Sequence, residues 1–322
     1  MKVLIADKFE KVGIDGLRGL GCDVHPRPDL GAEGIPGALA ELNPEILVVR
    51  GTKVPRTTIE AGKGLRLIIR AGAGFDNIDC KAAAARSVAV CNCPGMNAVA
   101  VAELAFGLLL CLDRRIVEQS IDLREGRWNK KEYTKARGLK GLTLGVIGVG
   151  AIGREVIRRA KAFGMHVWAN AIHMTYDRAM DLGVNYGGST RDELLAMLPH
   201  CDALTVHVAA NPESERMCNA EFFAACKPAT YFINTSRGSV VDEAALADAI
   251  KTKGLRVAAD VFDNEPTGPT AQWTWPLATT PGAAVTHHIG ASTDQAQNAV
   301  AEEVVRIVKV FVKSGRCENR VN

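Results

Sequence analysis

Short runs of consecutive apolar residues alternate along the chain with longer stretches whose apolar positions recur at helical spacing. VLIA (3–6), EILVVR (45–50), LRLIIR (65–70) and SVAVCNC (87–93) form a first series of short runs. LTLGVIG (142–148), MHVWA (165–169), ALTVH (203–207), TYFINTS (230–236), LRVAADVF (255–262) and AAVTHH (283–288) form a second. Continuous hydrophobicity marks strands buried on both faces, as in a parallel sheet. Regular alternation of such strands with helical stretches predicts an α/β architecture with helices on both sheet faces. Between the two series, residues 97–125 contain no proline and a single glycine, Gly107. This predicts one long helix bridging two domains, entered through the Pro94-Gly95 turn. Towards the end, Ser292 and Gln295 have the spacing of a capping box. The helix they would open has Val300, Val304, Ile307 and Phe311 on one face.

With 322 residues the chain is long enough for two domains of about 150 each. Lys+Arg 39 against Asp+Glu 36 leaves +3 and a pI near 8.3, too balanced for a nucleic-acid partner. The densest basic run, NKKEYTKARGLK (129–140), reads as a solvated loop. Nine cysteines, an odd number with no CxxC spacing, fit free thiols in a reducing compartment better than disulfides or a metal site. The opening MKVLIADKFE lacks the apolar core of a signal peptide, and no stretch has membrane-spanning length, so a cytoplasmic location is expected.

GVIGVGAIGREV (145–156) places Gly148, Gly150 and Gly153 after a strand and at the mouth of a helix. The first glycine permits a tight turn, the second a close backbone approach to a pyrophosphate, and the third close helix–strand packing. The N–H groups of the helix start then face the phosphates. A dinucleotide cofactor is therefore expected. The next strand should end, about twenty residues on, in an acid for the adenosine ribose. Here it ends VWANAIH (167–173), with Asn170 or Ala171 at that place and His173 and Arg178 following. Losing the acid weakens the anchoring of NAD and removes the repulsion that excludes NADP.

Three further stretches lie where strands give way to loops, the edge at which such folds place ligands. FINTSRGSVVDE (232–243) carries Arg237, AADVFDNEP (258–266) carries Asp260 and Glu265, and VTHHIGAST (285–293) carries His287 and His288. Successive residues of a strand point to opposite faces, so at most one of the two histidines should address a given site.

With IRAGAGFDNID (69–79) and NCPGMNAVAVAEL (92–104), these motifs occur in the order found in the D-isomer-specific 2-hydroxyacid dehydrogenases, and nearly the whole chain resembles that family. The likeness is greatest to its phosphoglycerate dehydrogenase branch, which serves serine biosynthesis. The resemblance implies a catalytic set of Arg237, Glu265 and His288, with His287 structural. Reducing a 2-keto acid needs a proton at the carbonyl oxygen, which an imidazolium donates near neutral pH and a carboxylate partner would help to hold. A guanidinium offers a planar fork for the substrate carboxylate.

For the cofactor the resemblance implies NAD, with NADP left open by Ala171. It adds Ala151 and Ile152 in the glycine-rich turn, Ala73 beside the nicotinamide, Thr235, Ser236 and Gly290, and Asp260 at the carboxamide. The family's His-x-Pro-Leu is His207-Val208-Ala209-Ala210 here, and Ser214 replaces a usual threonine, departures that surround the adenosine half of the cofactor. For the substrate it implies Ala71, Gly72 and Gly74 of one loop, Gly51, Asn97, and positive charge from Arg50, Arg70 and Lys130 for a phosphate. It implies no metal.

The resemblance further implies two doubly wound, Rossmann-like domains with a cleft between them. Residues 1–94 plus 288–322 would form the substrate domain and residues 95–287 the nucleotide domain, paired as a homodimer. Ending at ENRVN, the chain is expected to lack a regulatory domain responsive to serine. The expected reaction is 3-phosphoglycerate/3-phosphohydroxypyruvate interconversion, with hydroxypyruvate or glyoxylate reduction as the alternative. Glu265 argues against formate oxidation. A dinucleotide-sensing corepressor is the reading from another class.

Overall fold

The computed structural model describes residues 1–266 and 270–322. They form two compact units, Met1–Ala100 with Ala291–Asn322, and Val101–Gly290.

The first unit alternates β1 (Lys2–Ile5), α1 (Lys11–Gly19), β2 (Asp23–Pro26), α2 (Gly31–Leu42), β3 (Ile46–Val49), α3 (Arg56–Ala61), β4 (Leu67–Arg70), α4 (Cys80–Ala85) and β5 (Ala89–Asn92). All its strands are parallel, in the order β2-β1-β3-β4-β5. From β5 the chain enters α5 (Ala98–Arg114), followed by α6 (Ile116–Arg124).

The second unit continues with β6 (Thr143–Ile147), α7 (Ala151–Ala162), β7 (His166–Asn170), α8 (Tyr176–Leu182), β8 (Asn185–Tyr186), α9 (Arg191–Met197), β9 (Ala203–Val206), α10 (Ala220–Ala225), β10 (Tyr231–Asn234), α11 (Glu243–Lys253), β11 (Arg256–Ala259) and β12 (Ala284–Val285). These strands are parallel too, in the order β12-β11-β10-β9-β6-β7-β8. The order runs outward in both directions from β6, so the strand order reverses between β6 and β9, the place where doubly wound sheets bind ligands.

The last helix, α12 (Asp294–Ser314), returns to the first unit. Its Val304, Ile307, Val308 and Phe311 are buried with Val3, Ile5, Val48 and Ile69. Full burial of each such side chain stabilises by roughly 1.5–3 kcal/mol, so α12 supplies one wall of that core. Helix α1 meets it closely: a Cβ on Gly16 would come within 2.8 Å of Val305.

Three local expectations are corrected. The helix foreseen over 97–125 is two helices, because Arg115 takes a left-handed backbone (φ 50°) as the N-cap of α6. Its guanidinium is held there by Glu118 and Glu132 and lies over the Tyr133 ring. Helix α5 also contributes to the core of the second unit, where its Ala102, Phe106, Leu109 and Leu112 pack with Val146, Tyr231 and Ala258. The N-cap of α12 is Thr293, whose hydroxyl accepts from the Ala296 N–H, one residue later than the Ser292–Gln295 spacing. Finally, β12 stops at Val285, so the two histidines lie in a bend beyond the strand.

Candidate active site

The glycine-rich turn joins β6 to α7, and backbone geometry dictates its glycines. Gly148 has φ 93°, and a Cβ there would fall 2.6 Å from the His207 carbonyl oxygen at the end of β9. A Cβ on Gly153 would lie 2.1 Å from the Gly148 carbonyl oxygen. Gly150 differs: a Cβ there meets nothing within 4 Å. The fold needs the first and third glycines, whereas the second leaves open space at the start of α7, beside the first-turn N–H groups of Ala151 and Ile152. A dinucleotide pyrophosphate fits that cradle.

Beyond β7 the Asn170 amide donates to the carbonyls of Gly187 and Gly188, both at 2.9 Å. That residue is a buried clamp on the neighbouring loop, which leaves Ala171 at the strand end. Past β9, His207 bonds the hydroxyls of Thr205 at 2.9 Å and Thr235 at 3.4 Å. Burial pushes its pKa down to about 3, so the ring is neutral near pH 7, one nitrogen donating and the other accepting, and it is no general acid. Val208 and Ala209 follow it. The Ser214 hydroxyl is engaged inside its own loop, with the carbonyls of Ala209 and Asn211.

The catalytic candidates stand on the loops after β10, β11 and β12. Asn234 organises the first of these. It donates to the Arg237 carbonyl at 2.9 Å and accepts from both the N–H and the hydroxyl of Ser236. Arg237 follows, half-buried, with Nη1 on the Ser236 carbonyl at 2.8 Å. Gly238 lets this turn press on the loop after β11, since a Cβ would lie 1.9 Å from the Phe262 backbone carbon. Glu265 stands three residues further along that second loop.

The third loop is held by Asp260, which is 1% exposed. Its Oδ1 accepts from the Thr286 hydroxyl at 2.6 Å and the Ile289 N–H at 2.9 Å, and Oδ2 from the Gly290 N–H at 2.8 Å. Between these anchors His288 takes a left-handed backbone, φ 53°. Its Nδ1 lies 2.6 Å from Glu265 Oε1. Because a carboxylate can only accept, Nδ1 carries the hydrogen, and Nε2 has no partner among the described residues. Glu265 Oε2 is buried and without a hydrogen bond among the described residues. His287 is exposed and makes no hydrogen bond among the described residues, so the structure gives it no packing role.

A family model described as "D-isomer specific 2-hydroxyacid dehydrogenase, NAD binding domain" matches residues 106–290. The D-3-phosphoglycerate dehydrogenase of Methanocaldococcus jannaschii is 36% identical over 324 residues, covering 100% of this chain and 59% of that protein. The hydroxypyruvate reductase of Thermotoga maritima is 40% identical, covering 84% of this chain and 85% of that one. The chain belongs to the D-isomer specific 2-hydroxyacid dehydrogenase family. It spans about three fifths of the length of the M. jannaschii relative. Among solved structures, an NADPH-dependent glyoxylate/hydroxypyruvate reductase from Sinorhizobium meliloti, in complex with NADP and malonate, superimposes with a TM-score of 0.82 at 28% identity, covering 99% of this chain and 96% of that one.

As in its family, the second unit is an NAD(P)-binding domain. It contains Arg237, Glu265 and His288 together with the glycine-rich turn, Asp260 and Gly290. Lys130 also belongs to it, exposed on the loop after α6. The substrate candidates of the first unit cluster at the ends of β3 and β4. Val49 pairs with Arg70, so Arg50 and Arg70 sit at one edge of the same sheet. Arg50 Nη1 donates to Gln297 on α12 at 3.1 Å.

A Cβ on Gly72 would fall on the Arg70 guanidinium. Asn92 and Cys93 hold the Ala71–Gly74 loop through the carbonyls of Ala73 and Gly72. A Cβ on Gly51 would meet nothing within 4 Å. Asn97 Oδ1 is buried without a hydrogen bond among the described residues. Asn234, Gly238 and Thr286 position the site but escape sequence reasoning, since each acts on a residue fixed only by the folded loops.

All nine cysteines are free thiols. Burial pushes those of Cys91, Cys93, Cys201 and Cys226 up to about 12, which removes them as nucleophiles.

Proposed function

We propose that this protein interconverts a D-2-hydroxy acid and its 2-keto acid, with 3-phosphoglycerate and 3-phosphohydroxypyruvate as the preferred pair. The observation that supports this most is the His288–Glu265 pair: an imidazole whose Nδ1 is held by a carboxylate and whose Nε2 is left for another partner. The bound nicotinamide dinucleotide supplies or accepts the hydride. In reduction the imidazolium Nε2–H gives its proton to the keto oxygen, and in oxidation neutral Nε2 takes it from the hydroxyl. Glu265 fixes the ring orientation and, by accepting from Nδ1–H, its tautomer. Arg237 holds the substrate carboxylate through paired N–H bonds and draws charge from the carbonyl as it is reduced. Asp260 acts through the backbone, keeping the loop of His288 in place.

In the first unit the Ala71–Gly74 loop offers backbone N–H groups, and Arg50 and Arg70 carry positive charge suited to a substrate phosphate; in the second unit Lys130 is the corresponding candidate. A second reading, reduction of hydroxypyruvate or glyoxylate, is favoured by the hydrogen bond that occupies Arg50 with Gln297. It is also favoured by the T. maritima relative, of which this chain covers 85%. The S. meliloti relative is NADPH-dependent, so both dinucleotides belong in the test. A cytoplasmic location fits the free thiols. A homodimer fits α6, which exposes Ile116, Val117, Ile121 and Leu123, with Trp128 beyond it.

A panel of 2-keto acids with and without a phosphate, each supplied with NADH and NADPH, tests the reading. Consumption of reduced nicotinamide is expected, fastest with the phosphorylated three-carbon keto acid. Arg50→Ala should raise KM for that substrate by about tenfold, the worth of one charge-assisted contact, with little change for glyoxylate. Dinucleotide binding without turnover of any keto acid would replace the enzyme with a regulator.

A further inference from the structure

At the junction of the glycine-rich turn with the end of β7, the second unit carries a cation where NAD-selective sheets of this kind carry an acid. Arg178, in the first turn of α8, is half-buried and reaches back across the junction. Its Nη2 donates to the carbonyl of Val149, inside the glycine-rich turn, and its Nη1 to the carbonyl of His173, both at 3.3 Å. Both bonds are at the long end of the usual range. They also leave guanidinium N–H groups unused, because the fork has more donors than two carbonyls can take. Among the described residues Arg178 makes no ion pair, so its charge is not neutralised.

Nothing acidic faces it from the strand end. Ala171 has no polar group, and the Asn170 amide is tied to Gly187 and Gly188. His173 is exposed beside it and Asp177, the adjacent acid in sequence, makes no ion pair. In a doubly wound sheet the adenosine ribose of a dinucleotide lies between the glycine-rich turn and this strand end. A ribose bearing a 2′-hydroxyl would find no carboxylate there, while a ribose bearing a 2′-phosphate would find a guanidinium already placed.

We propose that Arg178 recognises the 2′-phosphate of the adenosine ribose, and that the protein prefers the 2′-phosphorylated nicotinamide dinucleotide, NADP(H). The proposal rests on the dehydrogenase reading only in taking the ligand to be a nicotinamide dinucleotide. The two carbonyls that hold the guanidinium restrict its motion in advance, which lowers the entropy cost of capturing the phosphate. The phosphate then supplies the anionic acceptor that the carbonyls lack.

Calorimetric titration of the full chain with 2′,5′-ADP and with ADP tests this without any turnover. The 2′-phosphorylated nucleotide should bind about tenfold more tightly or better, by the worth of one charge-assisted pair. Arg178→Gln should abolish that advantage and leave the ADP constant within about twofold, while Arg178→Lys restores part of it. Should Arg178→Gln fold poorly, Ala171→Asp is the second variant. It returns an acid to the strand end and should reverse the preference.

Equal affinity of the wild-type protein for the two nucleotides would overturn the proposal. So would an equal loss of both in Arg178→Gln, the mark of a structural arginine. A protein that reduces keto acids with NADH alone sinks this inference and spares the dehydrogenase reading. One that binds 2′,5′-ADP through Arg178 but turns over no keto acid does the reverse.

Discussion

His288 reaches Glu265 only because its backbone turns left-handed, at φ 53°. For a non-glycine residue that conformation costs on the order of 1–3 kcal/mol, and it persists where the surroundings over-determine it. Here Asp260 binds the chain on both sides of the histidine, at Thr286 and at Ile289 and Gly290. His288→Asn should lower kcat by about two to four orders of magnitude, the usual range for losing a general acid–base, and leave dinucleotide affinity unchanged. Glu265→Gln should lower kcat less, because it loosens the ring without removing it. His287→Ala is the control, expected to match wild type, and loss of turnover there would move the proton shuttle to the wrong histidine.

A second histidine gives a stability test. His207 has a folded pKa near 3 against about 6.5 unfolded. The unfolded chain therefore binds the extra proton between those values, and stability is lost as pH falls through that window. Melting curves of wild type and His207→Gln from pH 7 to pH 4 should converge on acidification. A constant gap between them would show that desolvation of the ring is not the cause.

At the scale of elements, the glycine-rich turn separates folding from binding. Gly153→Ala should destabilise the apo protein strongly, because its Cβ would stand 2.1 Å from a backbone oxygen that has nowhere to move. Gly150→Ala should melt like wild type yet bind dinucleotide about tenfold or more weakly, its methyl group filling the pyrophosphate approach. Calorimetry and melting on the same samples distinguish the two.

Strands β3, β4, β6 and β10 were legible because parallel strands buried on both faces leave an unbroken apolar record. Strands β2 and β8 left none: Asp23–Pro26 is half-exposed and Asn185–Tyr186 is two residues long. The break before α6 was invisible for a related reason. Arg115 is a good helix former, and its left-handed turn is fixed by Glu118, three residues along in sequence, and by Glu132 and Tyr133 on a loop beyond α6.

For the whole molecule, exposed apolar residues on and after α6 carry the expectation of a dimer. Leu123 is 59% exposed and Trp128 79%. Exposed apolar residues gathered within one short stretch of chain suit an association surface. Light scattering after gel filtration should give twice the chain mass for wild type, and Leu123→Asp combined with Trp128→Ser should give a monomer. A wild-type monomer at micromolar concentration would rule the dimer out.

The sequence by itself determined the α/β alternation, the dinucleotide turn and the strand-tip loops that carry Arg237, Asp260, Glu265 and the two histidines. Each is recorded locally, as an apolar run, a glycine spacing or a residue type at a strand tip. Only the tertiary structure decided which histidine carries the carboxylate partner, that Asn170 is a clamp, and that Arg178 lies across the glycine-rich turn. Those facts depend on hydrogen bonds between residues 17 to 29 positions apart, and no local pattern encodes a bond whose partner is set by how two loops fold against each other.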